Sequence, residues 1–363
     1  MTPAELGLPE RAQATRVRHV AVEDLIAERP DTGFSWSGFQ PGHADIVDWI
    51  FKITHRIWAE RAVGYIYDTY DHACPVYAGA DFSRGAEEVV VGTLATLAAF
   101  DRDSRFLNVA WSEDADGFYT SHLGVSAVTH IGPNAWGPAT GRRARFLTCA
   151  DCVSRDGRIH TEWLIRDNGA LVAGLGFDMF EVAERMARAD AASGRTPWYV
   201  GLPRRAPGQA QPGPLDRPEG PGIEDRLAHL LHDVLNRRRI DALPRLYAPN
   251  VHVHMAGGRE IMGRQALGDF WISFLAAFPD AVHSLDHFCW SEETDGIILA
   301  ARWGIRAHHR GYGPWGPPTG KPVYVLGMSH FRIDESGLIV EEWTLFDELA
   351  ILRQIHRPSG APS

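Results

Sequence analysis

The sequence predicts an α+β fold made of two tandem copies of one domain, and two repeated phrases carry this prediction. The decapeptide GPNAWGPATG at 132–141 recurs as GYGPWGPPTG at 311–320, with six identical positions. Upstream, WSEDADG at 111–117 corresponds to WSEETDG at 290–296 at the same offset of 179 residues. Self-similarity at a nearly fixed offset is the signature of a repeated structural unit.

The offset between the copies drifts by three residues along the chain. It is 177 at Tyr70 and Tyr247, and it reaches 180 where IHTEWLIRD at 159–167 meets IVEEWTLFD at 339–347. Single-residue insertions in loops explain such a drift, because loops tolerate changes in length. The whole domain is therefore predicted to be duplicated.

A proline-rich segment separates the two copies. Residues 203–222 contain six prolines and four glycines, which cannot form a core and predict an extended linker. Aromatic residues among turn formers at 31–42 predict a segment that packs on a domain surface. The predicted organisation is an N-terminal extension at 1–42, copy 1 at 43–190, the linker at 191–222 and copy 2 at 223–363.

The elements of copy 2 follow from its apolar spacing. A first helix starts near Ile223, and a second, shorter one precedes a strand in which Val251 and Val253 share one face. Residues 263–280 read as a helix that ends at Pro-Asp. Three β-rich stretches come last, at 281–309, 321–334 and 337–347. Helices followed by antiparallel strands predict a curved sheet with helices against one face.

Charge and hydropathy limit the possible partners. The chain has 46 acidic and 36 basic residues, for a formal net charge of −10. A nucleic-acid or anionic-membrane surface would need a basic footprint. No apolar run reaches the ~18 residues of a membrane helix, and the N-terminus lacks an apolar signal core. The sequence therefore predicts a cytoplasmic protein with no nucleic-acid or membrane partner.

The sequence predicts neither a metal nor another cofactor. Cys149 and Cys152 form a CxxC, but no second pair completes a zinc site and the surrounding residues alternate as in a strand. His252 and His254 share a strand face and could be two metal ligands. A third, carboxylate ligand is not apparent from the spacing.

The segment HHRGYGPWGPPTGKPVYVLGMSHFRIDESGLIVEEWTLFDELAILRQI resembles the SnoaL-like polyketide cyclase family, within the NTF2-like (cone-fold) superfamily. The carrying features are the PPTGK turn at 317–321, the Glu-Trp pair at 342–343, Asp347 and the closing LRQI. Copy 1 departs from this pattern, since RDNGALVAGLG replaces FDELAILRQI.

The resemblance implies two tandem cone-shaped α+β barrels, each a curved antiparallel sheet with helices closing one side around a mostly apolar pocket. It also implies chemistry without a metal or organic cofactor. Cyclases of this family close a ring by an intramolecular aldol reaction, in which a pocket aspartate takes and returns the proton. Relatives include isomerases, dehydratases and epoxide hydrolases, and others only bind ligands, so the fold alone does not decide the function.

The last strand supplies the first catalytic candidate. Side chains alternate along a strand, so Trp343, Leu345 and Asp347 share one face. If this face points into the cone, Asp347 is desolvated and its pKa rises toward the range of a general base. Asp167 is its counterpart in copy 1. The alternative is that both aspartates cap the helix that follows.

A neighbouring strand supplies the second pair of candidates. His330 is predicted to lie beside the Asp347 strand, and its repeat partner in copy 1 is Asp151. Copy 2 would then hold an Asp–His pair. Copy 1 would hold two carboxylates, Asp151 and Asp167, of which one would have a raised pKa. An outward-facing His330 remains open.

Aromatic and histidine side chains are the candidates for substrate contact. The repeated Trp-Gly-Pro-x-Thr-Gly is predicted to be a turn whose tryptophan closes on substrate or packs between the cones. The full set of predicted substrate-contacting residues is Trp343, Trp315, His254, His309, Trp271, Trp163, Trp136, His130 and Tyr77.

Two functions remain open from the sequence. The first is acid–base chemistry on a small, largely apolar carbonyl, ester or lactone, with copy 2 as the better candidate because it keeps the family pattern more fully. The second is a ligand-binding or scaffold protein in which the cones form an internal pseudo-dimer. A homodimer of the whole chain is also possible.

Overall fold

Each copy begins with helices, continues with its long strands and closes with one or two further helices. The structure, a computed structural model, describes residues 2–29, 39, 42–194, 196–202 and 214–358. The segment 31–42, which was predicted to pack on a domain surface, lies largely outside these residues. The first part of the predicted linker, residues 203–213, also lies outside them.

Copy 1 and the segment before it contain six α-helices and six strands among the described residues. In chain order they are α1 Val22–Ile26, α2 Ile46–Trp58, α3 Ile66–Thr69, β1 Pro75–Ala78, β2 Asp81–Arg84, α4 Ala86–Ala99, β3 Phe100–Asp114, β4 Gly117–His130, β5 Arg143–Arg155, β6 Arg158–Arg166, α5 Asn168–Gly174 and α6 Met179–Ala192.

Copy 2 repeats this order. Its elements are α7 Ile223–Leu231, which continues as a π-helical turn at His232–Asn236, then a 3-10 helix at Ile240–Arg245, β7 Tyr247–Met255, β8 Arg259–Met262, α8 Arg264–Ala277, β9 Val282–Glu293, β10 Gly296–His308, β11 Pro322–Ile333, β12 Ile339–Phe346 and α9 Glu348–Ile355.

Local signals set the helix starts. The Asp45 carboxylate accepts hydrogen bonds from the backbone N–H groups of Val47 and Asp48, so it caps α2. Gly85 and Gly263 precede α4 and α8 with φ of +86° in both cases. Side chains other than glycine rarely adopt this conformation, which explains why both copies keep glycine there.

The strands form one 12-stranded sheet in the described part of the chain, in the order β2-β1-β6-β5-β4-β3-β9-β10-β11-β12-β7-β8. The two halves meet edge to edge at β3 and β9, where Trp111 pairs with Trp290. Pairing is antiparallel except for β1 with β6 and β7 with β12, which are parallel. The predicted fold class, two tandem cone-shaped α+β units with curved sheets, is confirmed.

The two sheets also pack against each other through the faces that their helices leave uncovered. Leu123, Cys149 and Ile165 of copy 1 lie in one buried cluster with Trp343 and Leu345 of copy 2. The face that holds Trp343, Leu345 and Asp347 was expected to point into the cone. That expectation is wrong, because this face is buried between the two cones.

Salt bridges and cation–π contacts also join the two copies. Arg353 on α9 forms a two-pronged salt bridge with Asp81 of copy 1, at 2.9 and 3.0 Å, and a second one with Asp190 on α6. The Arg11 guanidinium lies between the rings of Trp111 and Trp290, 3.9 Å from each ring centre. The N-terminal segment therefore crosses the junction of the two halves.

None of the helices in the described residues combines the length and the apolar composition that crossing a membrane requires. Cytoplasmic localisation stays a prediction.

Candidate functional site

The interior of copy 1 holds a cavity of about 480 Å³, between α2 and α4 on one side and the helix-covered face of the sheet on the other. The corresponding space in copy 2 is about 10 Å³. The better candidate by family pattern, copy 2, therefore has a filled cone. The expectation that copy 2 holds the active site is contradicted by this packing.

Five replacements between equivalent positions explain the difference. The interior of copy 2 is filled by large side chains, namely Trp271, Phe274, Trp303, Phe331 and Phe346. The repeat places smaller or polar residues at these positions in copy 1, and each of them lines the cavity: Thr93, Thr96, Gly124, Cys152 and Arg166. These smaller or polar residues in the sequence of copy 1 therefore account for its open cone.

A hydrogen-bonded Tyr–Glu pair lies in the wall of the cavity. The Tyr70 hydroxyl donates to the Glu162 carboxylate at 2.9 Å, and both residues line the cavity. Burial raises the pKa of Glu162, against the opposing effects of the Tyr70 hydrogen bond and the Arg166 charge. Copy 2 keeps the same pair, Tyr247 and Glu342 at 2.7 Å, without a comparable cavity beside it.

Two half-buried guanidinium groups, those of Arg102 and Arg166, face the same cavity, and the exposed Arg105 also lines it. Arg102 lies 4.4 Å from the ring centre of Trp58 and donates to Ser104 and Ser126 at 2.6 and 2.9 Å. Burial, with the nearby charge of Arg166, lowers the pKa of Arg102 to about 9. The guanidinium of Arg166 forms no hydrogen bond or salt bridge with any residue that the structure describes. Its donors are therefore available to a ligand.

Two buried polar atoms in the cavity wall lack a partner among the described residues. They are Nδ1 of His122 and Oγ1 of Thr148. The His122 ring stacks on Phe106, with 5.1 Å between ring centres, and burial lowers its pKa to about 4. The imidazole is therefore neutral near pH 7. A buried polar atom left unsatisfied costs about 1–3 kcal/mol, which a bound ligand can recover.

This set of groups is suited to proton transfer next to a carbonyl. A desolvated carboxyl group can take and return a proton, and guanidinium donors can stabilise the charge that develops on the oxygen. Isoleucine side chains supply apolar wall on both the helix and the strand side, from Ile50, Ile53, Ile57, Ile66 and Ile159.

The two last-strand aspartates lie outside this cavity and cap helices. Asp347 accepts a hydrogen bond from the Leu349 backbone N–H at 3.0 Å and from the Asn168 side chain at 2.7 Å. Asp167 accepts from the Ala170 N–H at 3.1 Å and reaches the β7–β8 turn of copy 2, at the N–H groups of 257 and 258. The helix-cap alternative describes both residues.

The buried position of Asp347 predicts a pH dependence of stability. Burial raises the pKa of Asp347 from 3.8 to about 7, so the folded protein binds this proton more tightly than the unfolded chain does. The resulting stabilisation is complete below about pH 4 and is lost as the pH rises through about 7. Between pH 5 and pH 8 the wild type should lose about 3 kcal/mol of stability in this way, and Asp347→Asn should not show this loss. Urea unfolding at pH 5 and pH 8 measures it, and equal pH slopes in both proteins would contradict it.

His330 and Asp151 lie between the cones and do not form the expected pairs. His330 bonds to Ser121 of copy 1 at 2.9 Å, and burial lowers its pKa to about 3. It pairs in register with Trp343, four residues before Asp347, so no Asp–His pair forms. The Tyr119 hydroxyl donates to Asp151 and accepts from Arg302. Both candidates serve the contact between the sheets, which corrects their placement in a pocket.

The predicted substrate contacts are distributed over packing positions. Trp315 packs on Phe274 and Phe278 of copy 2, in a buried cluster that also includes Val182 and Ala183 of copy 1, so the packing alternative describes it. The turn histidines His130 and His309 each bond a threonine of the repeated loop at 3.3 Å. Trp136 packs against Phe100, and Trp271 lies in the filled cone. The remaining four lie on the sheet faces that the helices leave uncovered, namely Trp163, Trp343, Tyr77 and His254. None of the thirteen predicted site residues lines the 480 Å³ cavity.

The sequence reasoning missed five polar residues that do line it: Tyr70, Arg102, His122, Glu162 and Arg166. A signal was present. Glu162 and Arg166 alternate with Trp163 and Asp167 along β6, and Tyr70 matches Tyr247 through the repeat. The alternation of side chains along β6 was predicted correctly. The face chosen as the inward one was that of Trp163 and Asp167, and the cavity is lined by the other face.

A family model places copy 2 among known proteins. The model described as SnoaL-like polyketide cyclase matches residues 225–355. This segment is therefore similar to SnoaL-like polyketide cyclases over the matched range. The resemblance found in the sequence is confirmed for copy 2. The matched range does not include copy 1, which holds the cavity.

Solved structures of SnoaL-like and related proteins resemble about a third of the chain each. IdmH from Streptomyces antibioticus is 26% identical and covers 36% of this chain and 96% of its own, with a TM-score of 0.31. A SnoaL-like protein from Jannaschia sp. CCS1 is 18% identical and covers 36% and 90%, with a TM-score of 0.30. We found no match among curated proteins.

Proposed function

We propose that the cone of copy 1 binds a small, largely apolar carbonyl, ester or lactone and carries out acid–base chemistry on it. Glu162 is the proposed general acid and base. The observation that carries this proposal is the 480 Å³ cavity whose wall contains a buried carboxyl group, two guanidinium groups and two unsatisfied polar atoms.

The proposed reaction starts with removal of a proton next to the carbonyl. Glu162 takes this proton while Tyr70 holds its carboxylate in place through the 2.9 Å hydrogen bond. Arg166, whose donors are unoccupied by described residues, receives the developing negative charge on the oxygen, together with Arg102. Glu162 then returns the proton at another atom. Isomerisation follows directly, and attack of the carbanion on a second carbonyl of the same substrate gives cyclisation.

The filled cone of copy 2 is proposed to be a scaffold for copy 1. Copy 2 retains the Tyr–Glu pair but packs five large apolar side chains where copy 1 is open. Arg353 of copy 2 holds Asp81, which lines the cavity of copy 1. The internal pseudo-dimer thus supports one working site. Ligand binding without catalysis is the second candidate, and the same cavity would serve it.

Filling the cavity with the residues of copy 2 should abolish ligand binding. Thr93→Trp with Thr96→Phe places at these positions the side chains that close the other cone. We expect at least a tenfold loss of affinity for anilinonaphthalene sulfonate, an apolar anion suited to apolar walls and guanidinium groups, because the cavity no longer admits it. Fluorescence titration measures the change. The same variant should lose turnover in a panel of ketones, esters and lactones followed by mass spectrometry.

Val91→Trp is the matched control for this double variant. Val91 lies on the same helix but is 67% exposed, so the added ring should leave the cavity open. Unchanged dye affinity and turnover in the Thr93→Trp, Thr96→Phe variant would contradict the proposed site.

A further inference from the structure

A cluster of potential metal ligands lies on the sheet face of copy 2 that its helices leave uncovered, away from the cavity. His252 and His254 are on β7 and Glu260 is on the paired strand β8, opposite His254 in register. Their ligand atoms all lie within 4.8 Å of one another. We propose that these three side chains bind a divalent transition-metal cation of the Zn²⁺ type.

The geometry directs all three ligands at one point. Nε2 of His252 lies 2.7 Å and Nδ1 of His254 lies 2.8 Å from the same carboxylate oxygen of Glu260. Each of these nitrogen–oxygen contacts requires a proton between the two atoms. A cation bound by the three side chains would take the place of these protons. Two imidazole nitrogens and one carboxylate oxygen are ligands that Zn²⁺ accepts, with the remaining coordination position open to water.

A second layer of contacts fixes His254 in the orientation that a ligand needs. Its other ring nitrogen, Nε2, lies 3.4 Å from the Glu341 carboxylate, and its ring stacks on Trp343 with an interplanar angle of 12°. Glu341 is itself held by Arg18 at 2.8 Å and Arg332 at 2.9 Å. Histidine ligands of metals typically donate their second N–H to such a carboxylate.

Copy 1 shows that the fold does not require this cluster. The strand pairing that sets His254 opposite Glu260 and Trp343 sets Tyr77 opposite Phe82 and Trp163. The equivalent of His252 is Pro75. Copy 2 has therefore placed three ligating side chains where copy 1 has none. His252 and Glu260 have side chains that are 38% and 60% exposed, so a cation can reach them.

Calorimetric titration of the full chain with ZnCl₂ tests the site. We expect binding near one equivalent, and at least a tenfold weaker affinity in His252→Gln and in Glu260→Gln, since each removes one of three ligands. Glu260 is exposed, so its variant should stay folded. His308→Gln is the matched control, because His308 also contacts a carboxylate, Asp280 at 2.8 Å, and belongs to no group of three potential ligands in the part of the chain that the structure describes.

Cobalt substitution gives an independent readout. Co²⁺ bound by two histidines and a carboxylate should show a visible absorption band that Zn²⁺ displaces and Mg²⁺ does not, because Mg²⁺ prefers oxygen ligands. No binding by the wild-type chain would overturn the proposal. So would equal affinities in wild type, His252→Gln and Glu260→Gln, which would place the cation on other histidines.

Discussion

Glu162→Gln is expected to lower turnover by about 10²–10⁴-fold, the usual contribution of a general acid or base. Glutamine keeps the shape of the side chain and can still accept the Tyr70 hydrogen bond, but it cannot take up the substrate proton. Affinity for anilinonaphthalene sulfonate should change little, because the apolar walls and both guanidinium groups remain. Steady-state kinetics on a substrate from the panel, together with dye titration, measures the two effects separately.

Glu342→Gln in copy 2 is the matched control for this variant. It removes the carboxylate of the same Tyr–Glu pair, in a cone whose free space is about 10 Å³. Both variants replace a carboxylate that accepts a tyrosine hydrogen bond by an amide. Only Glu162→Gln should lose activity. Equal activity of Glu162→Gln and the wild type would leave ligand binding as the function of copy 1.

Trp271→Thr is expected to destabilise the protein by about 3–5 kcal/mol, the range for truncating a large buried aromatic side chain. Trp271 is 5% exposed and makes edge contacts with Phe274 and Trp303, with ring centres 5.7 and 6.5 Å away. Removing its indole leaves a hole that these rings can close only in part. Urea unfolding monitored by circular dichroism measures the free-energy difference.

Thr93→Ala at the equivalent position of copy 1 should cost far less. Thr93 borders open cavity space and not a set of packed rings, so its truncation creates little new void. A loss in Trp271→Thr no larger than that in Thr93→Ala would contradict the account of cone 2 as a packed core.

The fold could be predicted from the sequence because the repeat and the order of predicted helices and strands both indicate two copies of one α+β domain. The choice of the inward strand face could not. Alternation along β6 and β12 separates two faces, but it does not say which one the helices cover. In this protein the other face is also buried, against the second cone. Trp343 and Leu345 are therefore as apolar as a cone interior requires, although they lie between the cones.

The family pattern pointed to the filled copy for a related reason. Its carrying features are the PPTGK turn, the Glu-Trp pair at 342–343 and the capping residue Asp347 with helix α9. None of these lines the 480 Å³ cavity, and only Glu342 borders the small space in copy 2. The residues that decide whether a cone is open lie on the inner faces, as in Thr93 against Trp271 and Gly124 against Trp303. Extending the repeat comparison through α4 and α8, and through β4 and β10, would have revealed them.

The third metal ligand was hidden for a different reason. Glu260 follows His254 by six residues, and only the register of the β7–β8 hairpin brings it opposite. Sequence spacing alone does not specify that register.

The central claim is that copy 1, and not copy 2, holds the ligand site, and one spectrum tests it directly. The full chain carrying ¹³C-labelled isoleucine methyl groups would be titrated with anilinonaphthalene sulfonate and followed by NMR. We predict that the shifts concentrate at Ile50, Ile53 and Ile159, which line the cavity of copy 1. Shifts at Ile305 and Ile333 in the core of copy 2, with those of copy 1 unmoved, would contradict the claim.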